Sequence, residues 1–341
     1  MRWEACPDVQ LAPPGIDRLA WRDCGPGCRE LDVGGKGRFF GAMAGRAPGD
    51  VPWLALIHDR NGAHDLALYR GDDPVFAARM TKAFGGCLVR PRAVGPNGML
   101  VEVSYRDARG QRRRLLGHEP AGILVAQDDA ERPPLESVFA DGHRFQTTTR
   151  RSLDRDGIPA WTAPPGFLIS ELGAYRDAIV FTASNGAKSS SVQAWTGRDV
   201  QTLAHNAGGP VTDGTDLVWF AEVDGAIALH AHGPTATSRR LRAAHQDFVD
   251  AAVGVLGDGL ALHVERRHDE SEGTLILTRL ADGASWAVPR RAGARWGTPL
   301  WVTRDELAVV LDPDAGAVRA GTVALGNSMT ILRLALDRIA N

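Results

Sequence analysis

The sequence predicts an all-β fold, with seven four-stranded antiparallel sheets around a central channel. Three observations carry this reading. Short apolar runs begin near Leu54, Met99, Arg144, Ile179, Leu217, Leu260 and Leu307, at intervals of 45, 45, 35, 38, 43 and 47 residues. Units of that period cannot bury their apolar faces alone and must stack on their neighbours. Within the runs, Val, Ile, Thr and Trp alternate with a period of two, which is the pattern of a strand. Finally, 39 glycines and 20 prolines accompany many short strands at even spacing among the 341 residues, as in a chain of strands and turns.

Each unit pairs two strand-like runs across a turn. The first has WLALIHD and HDLALYR around Asn61-Gly62, and the second has LVRPRAV and MLVEVSY around Gly95 to Gly98. In the third, LESVF and HRFQTTT flank Asp141-Gly142; in the fourth, FLISELGAY and AIVFTAS flank Arg176-Asp177. The fifth reads GGPVT, DGTD, LVWFAEV, Asp224-Gly225, AIALHAH. The sixth reads FVDAAVGV, Gly257 to Gly259, LALHVERR, then TLILTRL, Asp282-Gly283 and SWAVP. The seventh has PLWVT and ELAVVLD around Arg304-Asp305 and ends in MTILRLALD. Asp-Gly between two strands predicts a type I′ hairpin, because both central residues need positive φ. Long helices are hard to place: candidates such as the Ala- and Arg-rich stretch Ser238 to Ala252 are hemmed in by β-type runs. Residues 1–28 read as a Cys/Pro/Gly-rich segment that closes or caps the ring, and 29–341 as a single domain. Arg29 to Val33 is expected to supply the outer strand of the seventh sheet.

With this period and strand grammar, residues 29–341 resemble the β-propeller class, in particular its seven-bladed WD40-like or TolB-like members. The WD40 signature itself is missing: Gly117-His118 and Gly142-His143 occur without a following Trp-Asp. Gly85-Gly86 and Gly208-Gly209 resemble Kelch glycine pairs but lack the downstream Tyr and Trp. Ser152 to Gly157, followed by Trp161, resembles a single sialidase-type Asp box with one extra residue. The resemblance implies a fold, and propellers host many unrelated functions.

Composition removes several classes. A formal net charge of −2 argues against a nucleic-acid binder, and no apolar run nears the roughly 20 residues that span a bilayer. The four cysteines, Cys6, Cys24, Cys28 and Cys87, all fall within the first 87 residues. An even, clustered set reads as disulfides and favours an extracytoplasmic protein, although MRWEACPD contains no signal-peptide core. Three connectivities are open, and free thiols or a metal loop at Cys24 to Cys28 are the alternatives.

The most regular polar feature is an acidic or amide residue in the turn between first and second strands: Asp50, Asn97, Asp141, Asp177, Asp213, Asp258 and Asp305. On one face around the channel, these could bind a basic peptide or a divalent cation, although each also serves as an ordinary turn residue. Of the nine tryptophans, most are expected in the core, with Trp301, beside the Asp305 turn, as the exposed anchor. His230, His232, His263 and Glu265 could meet as a metal-like set, and His58 and His64 form a cross-strand pair. The basic tip Arg106 to Arg114 and the acidic tip His268 to Gly273 read as solvated loops. No catalytic motif is present: there is no Gly-x-Ser-x-Gly elbow, phosphate loop or His-Glu-x-x-His.

These features favour a monomeric, non-enzymatic recognition or scaffold protein that binds a protein, peptide or small ligand on the channel face. No cofactor is predicted. The alternative is a propeller hydrolase or lyase with a carboxylate, histidine or metal site in the channel.

Overall fold

The computed structural model describes residues 9–11, 17–33, 40–45, 50–60, 63–81, 88–95, 98–107, 110–118, 124–127, 136–147, 149–186, 189–232, 238–243, 248–267, 273–289, 296–311, 324–326 and 330–339. They form an all-β chain with one short 3₁₀ turn at Leu336–Arg338. The stretch Ser238 to Ala252, the helix candidate set aside in favour of strand, is strand where described, at Ser238–Ala243 and Phe248–Gly257.

Six sheets are each built on four consecutive antiparallel strands. Sheet 1 comprises Phe40–Gly45, Trp53–Arg60, Ala63–Arg70 and Asp73–Thr81, with Ala324–Gly326 and Val9–Leu11 added at its edges. Sheet 2 is Leu88–Gly95, Gly98–Asp107, Gly110–His118 and Leu124–Gln127, and sheet 3 is Glu136–Ala140, His143–Thr147, Ser152–Arg155 and Ile158–Thr162. Sheet 4 runs Leu168–Tyr175, Ala178–Ser184, Ser190–Trp195 and Val200–His205; sheet 5 runs Ala207–Thr212, Leu217–Val223, Ala226–His232 and Ser238–Ala243. Sheet 6 is Phe248–Gly257, Leu260–Arg267, Thr274–Arg279 and Ser285–Ala287.

The expected seven four-stranded blades are therefore corrected to six. The remaining sheet 7 has five strands, in the order Arg22–Gly25, Cys28–Asp32, Thr330–Ala335, Glu306–Leu311 and Trp296–Val302. Strands from both ends of the sequence meet there, with Leu31 opposite Ile331. The Arg29 to Val33 run enters this sheet as predicted, but Arg22–Gly25 lies outside it and is the edge strand.

The chain divides into two compact units, one of Met1–Pro133, Ala308–Ala315 and Thr322–Leu334, the other of Pro134–Leu307, Gly316–Gly321 and Ala335–Asn341. Within the first, the opening strands of sheets 1 and 2 are neighbours; within the second, those of sheets 3 to 7 follow one another side by side.

Face-to-face stacking explains the unbroken apolar runs. Along Ala178–Ser184, Ile179, Phe181 and Ala183 pack with Phe145 and Leu153 of sheet 3, while Ala178 and Val180 pack with Leu217 and Trp219 of sheet 5. In turn, Val218 and Phe220 face Leu256 and Ala261 of sheet 6. A strand buried on both faces has no polar alternate to offer. The tight turns follow the sequence. Asp141-Gly142, Asp224-Gly225 and Asp258-Gly259 have φ of 49° and 73°, 54° and 75°, and 51° and 75°, all left-handed as the hairpin signal requires.

Candidate functional site at the entry to sheets 3 to 5

The predicted turn residues Asp50, Asp141, Asp177, Asp213, Asp258 and Asp305 all sit between first and second strands of a sheet. Asn97 lies outside the described residues, as do Cys6 and Cys87. Much of this acidity serves the turns themselves. Asp213 Oδ1 accepts from the backbone N–H of Thr215 and Asp216 at 2.9 and 2.8 Å. Asp258 Oδ2 accepts from Arg304 N at 3.1 Å, tying one turn to the next. Asp50 accepts from Arg70 Nη2 at 2.8 Å and from Trp53 Nε1 at 3.3 Å, and the Arg70 bond leads in holding its carboxyl below the ordinary range. Trp301, expected to be exposed, is instead 5% accessible, and its Nε1 donates to Glu306 Oε1 at 3.1 Å. A large ring between stacked sheets loses most of its surface to the core.

The predicted histidine set divides in two. Tyr175 Oη lies 2.9 Å from His232 Nδ1, and Trp219 stacks on His230 at 6.1 Å. Burial leads in lowering the His230 pKa, so the ring favours its neutral form. His263 and Glu265 form a separate buried pair, Nε2 to Oε1 at 3.0 Å, with Phe220 edge-on to the imidazole. Among the described residues, no group of three or more His, Cys, Asp or Glu is placed to hold a metal. The side chains of His58, His64 and the basic run Arg106 to Arg114, and residues 268–272 of the acidic tip, lie outside the described residues. In the Asp-box-like segment, Asp156 accepts from Arg144 N at 2.9 Å and contacts His143 Nδ1 at 2.6 Å across a hairpin turn.

At the opposite end of the opening strands, the structure gathers residues that the sequence reading missed. Glu136 opens sheet 3, and its Oε2 accepts from Leu172 N of sheet 4 at 2.9 Å. Glu171 of sheet 4 repeats the gesture one sheet on: its Oε2 accepts from Gly209 N of sheet 5 at 2.8 Å and from Thr182 Oγ1 at 2.5 Å. Two β-bulges permit this. The ladder slips between Ser170 and Gly173, where Glu171 takes φ of 60°, and again between Gly208 and Val211, where Gly209 takes φ of 65°. Left-handed geometry at a glutamate is a local strain of the kind that collects at functional sites.

Gly173 is needed beside the bulge, since a Cβ there would stand 2.8 Å from Thr212 Cγ2. Burial, opposed by the Leu172 N–H and reinforced by the charge of Glu171, raises the pKa of Glu136. Arg150, whose carbonyl accepts from Ile169 N at 2.6 Å, supplies a weaker opposing charge. Two carboxyls, a hydroxyl and two bulged backbones thus converge where three sheets begin. The sequence signal was available: alternation breaks at Ser170 to Leu172, and a glycine follows.

No family model and no curated protein matches this chain. Solved structures do resemble it. The β-propeller domain of the Trilobed protease from Pyrococcus furiosus, described as having an open velcro topology, overlays with a TM-score of 0.51 at 10% identity, covering 80% of this chain and 90% of that one. An oligogalacturonate lyase in complex with manganese gives 0.40 at 11% identity over 98% of both chains. A protein from Agrobacterium tumefaciens assigned as TolB gives 0.39 at 10% identity over 57% of this chain and 75% of its own. The last two overlays are looser and add nothing to the argument. At so low an identity the first speaks to the fold alone, and that fold, with its four-stranded antiparallel blades, is a β-propeller.

Proposed function

We propose that the chain is a recognition β-propeller that receives a cationic group of a peptide or small ligand at Glu136 and Glu171. The observation that carries this reading is that carboxyls from consecutive sheets lie within electrostatic range, each spending Oε2 on the next sheet. A positive group placed between them relieves their mutual repulsion as well as pairing with each. The Cys24–Cys28 disulfide supports a site of action outside the cytoplasm. Isothermal titration of arginine- and lysine-containing peptides into wild type, Glu136→Gln and Glu171→Gln tests the reading. Binding lost in both variants at an unchanged fold is the expected result; binding equal in all three overturns it.

A second reading, a hydrolase or lyase, is favoured by the raised Glu136 carboxyl. A carboxyl whose proton is held more tightly, placed beside a second carboxyl, is the arrangement of a general acid and its partner. Turnover of chromogenic ester or uronide substrates that disappears in Glu136→Gln would transfer the site to this class.

A further inference from the structure

We propose that residues 17–27 form a redox-sensitive strap, which opens locally when a dithiol reduces Cys24–Cys28. One carboxylate fastens the strap. Asp72, in the turn between the last two strands of sheet 1, accepts from Trp21 Nε1 at 2.8 Å and from Arg333 Nη1 at 3.0 Å through the same Oδ1. Its carbonyl accepts from Leu19 N at 3.1 Å, and the Arg333 guanidinium lies 4.9 Å over the Trp21 ring. Three segments distant in sequence therefore meet at one side chain, through charge-assisted bonds and a cation–π contact. Arg18 and Asp73 form a further ion pair at 2.7 Å, too exposed to add much.

Beyond Trp21 the strap depends on the disulfide. Arg22–Gly25 is an edge strand held by three register pairs, Arg22 with Glu30, Asp23 with Arg29 and Gly25 with Cys28, and a bulge interrupts them. So short a ladder is marginal by itself. Its loop contains Gly25 and Gly27, at φ of 132° and 69°, and glycines lose the most conformational freedom when ordered. The disulfide removes that freedom, joining cysteines whose Cα atoms are 5.2 Å apart. Both cysteines are only partly buried, and Pro26 and Gly27 between them are exposed, so a reagent can reach the sulfurs.

Cys28–Asp32 behaves differently, because it pairs along its whole length with the strand through Thr330 and Leu334. Reduction thus frees the edge strand and leaves the sheet behind it. Exposed disulfides closing short loops are the labile kind, since they constrain little of the unfolded chain.

In the exchange, one thiolate of the dithiol attacks a cysteine Sγ and expels the other cysteine as thiolate. The second thiol then resolves the mixed disulfide and departs as the oxidised dithiol. Two electrons pass to Cys24 and Cys28, and each sulfur takes up one proton.

Hydrogen exchange of the full chain, read by mass spectrometry with and without dithiothreitol, tests the strap. Reduction should speed exchange over residues 19–25 by about thirtyfold, the ratio expected for opening a loop of this size, and leave 307–311 unchanged. The double variant Cys24→Ser/Cys28→Ser should show the fast exchange without reductant, with Cys6 and Cys87 untouched. Asp72→Asn should speed exchange in both redox states. Equal exchange in oxidised and reduced wild type overturns the proposal. So does a double variant that exchanges like the oxidised protein, or one that loses protection at 307–311, since the sheet is then not independent of the strap.

Discussion

The opening strands carry acidic residues at two ends, at the turn end in sheets 3 to 6 and at the entry end in sheets 3 and 4, for different reasons. At the turn end, aspartates serve their own chain: Asp213 caps the N–H groups of Thr215 and Asp216, and Asp141 and Asp258 hold left-handed turn positions. At the entry end, Glu136 and Glu171 reach across to the sheet that follows. The extra methylene of glutamate makes the difference, since it carries the carboxyl beyond its own backbone to a neighbour's. Short acids there organise turns, while long acids couple blades and are left in each other's field.

The largest effect should come from cutting that coupling. Glu171→Ala takes the acceptor from the buried Thr182 hydroxyl, leaves Gly209 N only its longer 3.2 Å bond to Thr182 Oγ1, and puts a plain side chain at φ of 60°. We expect a loss of about 1–3 kcal/mol, read by urea unfolding, with Glu171→Gln recovering most of it. A Glu171→Ala variant as stable as wild type would remove the distinction between the two ends.

Acidity distinguishes the ends next. The folded-state pKa of Glu136 lies above the ordinary 4.5, so the native protein keeps this proton longer than the unfolded chain does. Its contribution is complete below the ordinary value and is lost as pH rises through the raised one. Glu136→Gln should therefore melt higher than wild type at about pH 7 and lose that advantage near about pH 4. Asp156, at a hairpin turn, is held below the ordinary 3.8, chiefly by the Arg144 N–H, and has the opposite sign: its contribution is present above 3.8 and fades in acid. Melting curves of Glu136→Gln and Asp156→Asn across this range should cross in opposite senses.

Much of the fold was legible because a blade repeats its own grammar. Period, Asp-Gly hairpins and doubly buried runs such as LVWFAEV each point to the same stacked sheets. The count of seven regular blades failed because sheet 7 is composite: Cys28–Asp32 belongs beside Thr330–Ala335, and pairing across 300 residues leaves no local spacing to read. The site was harder. Turn aspartates recur with the period and draw the eye, whereas Glu136 and Glu171 occupy non-equivalent places in their runs and become partners only through bulges. Bulges break the alternation that sequence reading relies on. Trp301 shows the opposite limit, since nothing in its neighbourhood distinguishes a ring that caps a channel from one that fills a core.

A smaller effect separates the turn aspartates that bond across turns from those that do not. Asp258→Ala loses the acceptor for Arg304 N and strains a residue at φ of 51°, so about 1 kcal/mol is expected. Asp258→Asn, which keeps an acceptor and tolerates the left-handed region, should lose less than half of that. Equal losses would assign the effect to charge rather than to turn geometry.

The smallest effect is the sharpest probe of what the turn end is for. Asp177 is exposed and follows Arg176, which carries the positive φ of that turn at 54°. Arg176 also donates its N–H to Gly214 O at 3.0 Å, so the turn is anchored without the aspartate carboxyl. Asp177→Ala should change unfolding free energy by no more than about 0.5 kcal/mol. Because the fold does not depend on Asp177, its substitution reports on binding alone. If the entry end holds the ligand, peptide affinity in Asp177→Ala stays at the wild-type value while Glu136→Gln loses it. Affinity that falls with Asp177 and survives in Glu136→Gln would move the recognition face to the turns.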